Sequence, residues 1–333
     1  MSTRIPQPSE VIRQMALLTG SGPGRPIPQL IASHDPLKGV ESQRLRSYFS
    51  SHCMEPGRDL DDYGRMLFSG DVDGVKADFF LRVFKHARTL ERTGTTDTEA
   101  AKKAAAQELY KLYWGPTRVP IFDLMLLAIL IVPRCRERHL EITRWLLNEA
   151  KVPVDGKDLS GSNAICHAIS TKPAVDLEFA QILYDAGADI NLRNRYGCVS
   201  AHEITMVWEA HIPEKANSAA TALRWFLSHG GNMDIKDNDG MSPRNNIEAT
   251  KRRDGPIKDG MRVVYAVVDQ DDARREQLKG KCCTFCGIEP TENVELPRCS
   301  RCRVAKYCSP PRQCQKGDWL HHKKTCKPQE KKK

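Results

Sequence analysis

Three stretches of the chain repeat one order of apolar and polar positions. Leu147–Asp155 (LNEAKVPVD), Leu183–Asn191 (LYDAGADIN) and Phe226–Asp234 (FLSHGGNMD) each read as a helix end, then a turn closing on Asp or Asn at one offset. Glycines follow in register at Gly161, Gly197 and Gly240, 36 and 43 residues apart. Such a period marks a stacked helical array, whose units bury their apolar faces only against one another. The longest uninterrupted apolar run, Leu124 to Val132, spans nine residues and stops at Pro133. It is too short for a membrane helix of about 20 residues and predicts a buried core helix in the same array. Met261–Leu278 alternates apolar and charged positions and predicts a helix, as does Glu41–Ser51. Lys251–Gly260, charged and carrying Gly and Pro, reads as a linker. Met1 to about Pro56 is rich in Pro, Gly and Ser around Ser21–Pro28 and is expected to begin as a mobile tail.

The middle copy, Ala186-Gly-Ala-Asp-Ile-Asn191, resembles the GAD-V/I-N turn of ankyrin repeats. Ankyrin units average about 33 residues, so these copies carry short insertions, expected around Thr171–Ala174 and Glu209–Ala219. The helix-opening TPLH of that family survives in part: Ser242-Pro243 keeps one half, His202 keeps the histidine, and Asn163-Ala-Ile-Cys166 replaces it in the first copy. Leu67–Lys76 is similar to the loop joining paired ankyrin helices and suggests an earlier unit. The resemblance implies a solenoid with a concave face for partners, and a turn-stabilising role for His202.

A length of 333 residues exceeds one ordinary core, so more than one module is expected. Hydrophobic residues at 40% and charged residues at 28% give a globular balance. The start, Met1–Glu10, has no apolar core of a signal peptide, which leads to an expected place in the cytosol or nucleus. Twelve cysteines are many for a reducing compartment. Cys53, Cys135, Cys166 and Cys198 stand alone, whereas the other eight fall between Cys282 and Cys326. A cluster of that density points to metal.

The cluster reads Cys283-x2-Cys286, Cys299-x2-Cys302, Cys308, Cys314, His322 and Cys326. Two residues between cysteines let both sulfurs of a tight turn face one tetrahedral ion. His322 and Cys326 are one helical turn apart and share a face. Eight ligands fill two four-coordinate zinc sites and leave no position for water or substrate, which marks structural rather than catalytic zinc. Cys282 and His321 sit beside ligands, and the spacing favours their neighbours. The run Tyr307-Cys308, Cys314-Gln315, Trp319, His322-Lys323 and Cys326 resembles the MYND-type zinc finger. That resemblance implies a cross-braced pairing: Cys283, Cys286, Cys308 and Cys314 on one Zn²⁺, and Cys299, Cys302, His322 and Cys326 on the other. Five residues separate Cys308 from Cys314 where the family usually has three, so a bulge is expected at Pro310–Pro311. The apolar content is small, and metal binding worth about 10–16 kcal/mol becomes the folding energy of such a module.

Gln315 and Trp319 are spaced i, i+4 on the last helix. In the MYND family the corresponding pair lines a groove for proline-containing peptides; the alternative is that Trp319 packs on the zinc core. From Lys281 to Lys333 there are thirteen Lys plus Arg against five Asp plus Glu, a net +8. Seven thiolates and two Zn²⁺ take three charges away, leaving about +5, with three of the positives at Lys331–Lys333. Nothing resembles a base-reading recognition helix, so nucleic acid is disfavoured as a partner. A SET-type lysine methyltransferase, which can also carry this finger, would need a cofactor-binding segment that the chain lacks. The expectation is a mostly α protein and no enzyme: an N-terminal segment (1–55), ankyrin-like repeats (56–250), linker and helix (251–279), a two-zinc finger (280–327) and a basic tail (328–333). It would act as an adaptor for protein partners, with a nucleic-acid-associated transcriptional regulator or a methyltransferase accessory as alternatives.

Overall fold

In the computed structural model the described residues are 24–92, 97–170, 174–207, 209–252, 255–290, 295–308 and 314–328. The expected insertion at Thr171–Ala174 falls largely outside them, and the Pro310–Pro311 bulge and the basic tail from residue 329 fall wholly outside. The helices run α1 (Ile27–Ala32), α2 (Gly39–Ser51), α3 (Asp62–Ser69), α4 (Val72–Arg92) and α5 (Thr98–Tyr110). A two-stranded hairpin, β1 (Tyr113–Trp114) and β2 (Val119–Pro120), precedes α6 (Ile121–Ile131), α7 (Arg136–Asn148), α8 (Ala164–Ala168) and α9 (Leu177–Asp185). Then come α10 (Ser200–Ile204), α11 (Pro213–Ser228), α12 (Pro243–Lys251), α13 (Arg262–Gln277) and α14 (Cys314–His322). The chain is mostly helical, and no helix among the described residues is long and apolar enough to cross a membrane.

Helices pair in sequence order: α3 with α4, α6 with α7, α8 with α9, α10 with α11. One row places α3, α6 and α8 side by side, and an outer row places α4, α7 and α9 likewise. The apolar run of α6 is buried on nearly every side between these neighbours, as an all-round hydrophobic helix must be. Phe179 and Phe226 fill the next layers with no exposed surface. Residues 251–279, expected as a linker and helix, do more than connect. Helix α13 packs along α11, and Val264, Val267 and Val268 are buried there, so it completes the last layer.

The recurring turns have a conformational cause. Lys151, Gly187 and Gly230 occupy the same offset after their helices, and all three are left-handed, with φ of 57°, 94° and 89°. Four residues on, Asp155 and Asn191 each reach the following copy. Asp155 Oδ1 accepts from the Asp189 N–H at 3.3 Å, and Asn191 Oδ1 accepts from the Asn232 N–H at 2.9 Å. The glycines in register serve a second turn. In each, Asp158, Asn194 or Asp237 pairs its main chain with the residue four positions on, and its side chain accepts from that residue's N–H. These hairpins form a ladder: Leu159 N–H to Thr117 C=O (2.9 Å), Arg195 N–H to Ser160 C=O (2.8 Å), Asn238 N–H to Tyr196 C=O (2.9 Å). A Cβ at Gly197, φ 78°, would lie 2.7 Å from the Asn238 nitrogen, so only glycine fits that rung. His202 ties one unit to the next: its Nδ1 accepts from the Val199 N–H at 3.1 Å, and its Nε2 lies 3.1 Å from the Met241 carbonyl.

One ionic group, a half-buried histidine between two buried carboxyls, sits inside the stack. His167 Nε2 is 2.9 Å from Asp158 and 3.7 Å from Asp123. Burial opposes the imidazolium, but the hydrogen bond to Asp158 and the two carboxylates outweigh it and push His167 up to about 9. Burial likewise raises Asp123, whose oxygens have no hydrogen-bond partner among the described residues. Because the folded value of His167 lies above its ordinary 6.5, its stabilisation is complete below pH 6.5 and is lost as pH rises through about 9. The raised Asp123 has the same sign, since the folded state holds its proton longer. The melting temperature is therefore expected to fall between pH 6.5 and 8.5, and Asp158→Asn should flatten that slope in a calorimetric series.

Candidate metal centre

The C-terminal segment builds two knuckles of one design. In the first, the Gly287 N–H donates to Cys283 C=O (2.8 Å); in the second, the Arg303 N–H donates to Cys299 C=O (2.8 Å). The residue after each second cysteine is left-handed, Gly287 at φ 69° and Arg303 at φ 56°. That tight reversal aims both sulfurs of each pair inward. Cys308 follows the short bridge between Arg298 and Lys306, and Cys314 opens α14, which carries His322 near its end. The Cys326 N–H donates to His322 C=O at 2.8 Å and brings the last sulfur back to the helix.

These elements gather the ligands into two interleaved groups. Cys283, Cys286, Cys308 and Cys314 place their sulfurs within 4.8 Å of one another, and so do the ligand atoms of Cys299, Cys302, His322 and Cys326. Cys286 and Cys308 sulfurs are 3.4 Å apart, Cys299 and Cys326 are 3.8 Å, and Cys302 Sγ is 3.4 Å from His322 Nε2. Zinc–sulfur bonds of roughly 2.3 Å in a tetrahedron set sulfurs about 3.8 Å apart, so both groups fit a shared ion. Every cysteine is free of disulfide bonding. The crowded thiols are driven apart: hydrogen bonds with Cys283 and Cys286 push Cys308 and Cys314 up, and burial pushes Cys326 up, while others go down. Cys299 is held down to about 6 by backbone N–H groups, that of Cys302 first, and Cys283 lies far below the thiol range through hydrogen bonds with Cys286, Cys308 and Cys314. Two clusters, one of four cysteines and one of three cysteines with a histidine, thus fit two zinc ions. Cys282 and His321 belong to neither cluster.

A third group, Cys198, His202 and Asp237, also lies within 4.8 Å. Both imidazole nitrogens there are engaged by main-chain groups and Asp237 Oδ1 accepts two backbone N–H groups, so hydrogen bonding accounts for it.

The finger is fastened to the last layer of the stack, which sequence spacing could not indicate. Asn232 Nδ2 donates to Phe285 C=O at 2.7 Å, Arg274 to Gly287 C=O at 2.9 Å, and Arg275 to both Gly231 C=O (3.2 Å) and Cys286 C=O (3.3 Å). Asp271 holds both arginines, at 2.8 and 2.6 Å. Gly230 leaves room for Ile288, which would lie 2.7 Å from any Cβ there. Phe285, Leu296 and Tyr307 join the same apolar core as the helices. Tyr307 donates to Asp318 at 2.7 Å and locks α14. On that helix Gln315 is exposed and Trp319 is 41% exposed, so the indole is not absorbed into the zinc core.

Residues 283–326 match the family model of the MYND finger. No characterised protein matches the chain's sequence significantly. Cys286→Ser and Cys302→Ser strike different clusters. Elemental analysis of either variant is expected to give fewer than two zinc ions per chain, with the helical signal of the stack retained. A variant that kept both ions would show its cysteine not to be a ligand.

Proposed function

We propose that this protein is a zinc-dependent interaction adaptor, in which ankyrin-like repeats and a MYND finger each engage a protein partner. MYND fingers are protein-interaction modules. The observation that carries the reading is Trp319, left 41% exposed on a finger whose ligand groups are coordinatively complete. With no open ligand position the metal has no substrate to polarise, and its role is to hold α14 in place. An exposed indole beside Gln315 then offers a rigid anchor for a short proline-containing segment. The ankyrin-like assignment of the stack is supported by the shared left-handed offset at Lys151, Gly187 and Gly230, by the hairpin ladder, and by His202 bridging successive turns. Seven cysteine ligands that must stay reduced suit the cytosol or nucleus. Regulatory complexes are the setting this combination suggests.

Trp319→Ala should weaken binding of proline-containing peptides at least about tenfold by calorimetry, the scale of an interface anchor. Zinc content and melting temperature should stay unchanged, because the indole is not core. Loss of folding with the substitution would remove the assignment of Trp319 as an anchor.

A further inference from the structure

The hairpin ladder has a cover supplied by the chain itself. Residues 24–52, part of the 1–55 segment expected to begin as a mobile tail and to carry a helix near Glu41–Ser51, form α1 and α2 joined by an extended turn, and they lie across the hairpin tips. Leu37 behaves as a further rung. Its N–H donates to Arg195 C=O at 2.7 Å, and its carbonyl accepts from Asn238 Nδ2 at 2.8 Å. The Gly39 N–H donates to Asp239 at 2.9 Å, and Arg46 lies 4.0 Å above the Tyr196 ring. Leu30, Leu37 and Leu45 are fully buried against Leu159, Tyr196 and Cys198.

Two features separate this contact from the rest of the fold. The main apolar core, which runs from Leu60 through the finger, includes no residue of 24–52; the cover shares a second, small cluster with the hairpins alone. The fit is also incomplete. Between α2 and helices α8 and α10 remains a cavity of about 430 Å³, with Arg46 and Phe49 on one wall and His167 and Ser200 on the other. Ser42 Oγ on the cover and Tyr196 OH on the hairpin are buried with no hydrogen-bond partner among the described residues. A cover belonging to the core would pack against it densely, without such a gap.

We propose that residues 24–52 are a tethered, releasable occupant of a peptide-binding face. The partner that displaces them is a protein segment of the same chemistry: an extended stretch with a leucine-sized residue read by Arg195 C=O and Asn238, followed by a helix that sets a guanidinium on Tyr196. A tethered segment competes at an effective concentration of about millimolar, so a micromolar contact stays closed in the chain and still yields to a tighter partner. The inference rests on reading the hairpin face as a partner surface. Binding through Trp319 is independent of it, so the two can fail separately.

The test is a protease recognition sequence inserted in the full chain between His52 and Cys53, both exposed. After cleavage and dilution, size exclusion should separate the N-terminal fragment, while the remainder keeps its helical signal and its zinc. A labelled peptide of residues 24–52 should then rebind the remainder, at least about tenfold more weakly when it carries Leu37→Ser. The uncut chain should not take up the peptide. Collapse of the helical signal on separation would make the segment part of the core, and a fragment that never leaves, even at nanomolar concentration, would make it permanent; either result overturns the proposal.

Discussion

The interleaving of two ligand sets is the constraint on which the C-terminal module depends. Cys299 and Cys302 lie between the two halves of the first set, and Cys308 and Cys314 lie between the two halves of the second. Neither ion can be released without freeing a chain segment that the other site needs in place. Among the described residues the module contributes Phe285, Leu296, Tyr307 and a few smaller side chains to the apolar core, a small share for ordering so short a segment. Metal–ligand bonds therefore replace a core, and the position of α14, with Gln315 and Trp319 on it, is set by coordination chemistry rather than by packing.

That constraint extends into the helices through main-chain carbonyls. The knuckle holding Cys283 and Cys286 presents the oxygens of Phe285, Cys286 and Gly287, and Asn232, Arg275 and Arg274 satisfy them. The same loop donates the Asn232 N–H to Asn191 Oδ1, the inter-unit link. Zinc, knuckle, last layer and earlier layers thus form one chain of contacts. The finger is consequently held at a fixed position relative to the hairpin face, a geometry in keeping with the proposed adaptor role.

Much of this was legible in the sequence where local geometry decides. The two C-x2-C turns, the His322–Cys326 helical turn and the turns closing on Asp155, Asn191 and Asp234 are short-range features with few alternative conformations. The pairing of the ligands was not legible from spacing alone and came from family resemblance; the structure brings the same two groups together. The helices at Glu41–Ser51 and Met261–Leu278 were legible, but where residues 24–52 and 251–279 pack was not, for a common reason. Their burial depends on surfaces built by other parts of the chain, namely the hairpin tips for Leu37 and helix α11 for Val264 and Val268. A polar, proline-containing stretch whose few leucines meet a distant groove carries no periodicity to announce it. The attachment of the finger is similar, because Asn232 and Arg275 carry no sign in sequence that their partners are backbone carbonyls.

The most direct measurement is a chelator titration of the full chain, following zinc release together with hydrogen exchange. Two zinc ions per chain should leave in one concerted step, with protection lost across residues 283–326 and reduced at Asn232 and α13 while α6 and α7 stay protected. One ion per chain, or two released independently with no change at Asn232, would contradict the interleaved coordination.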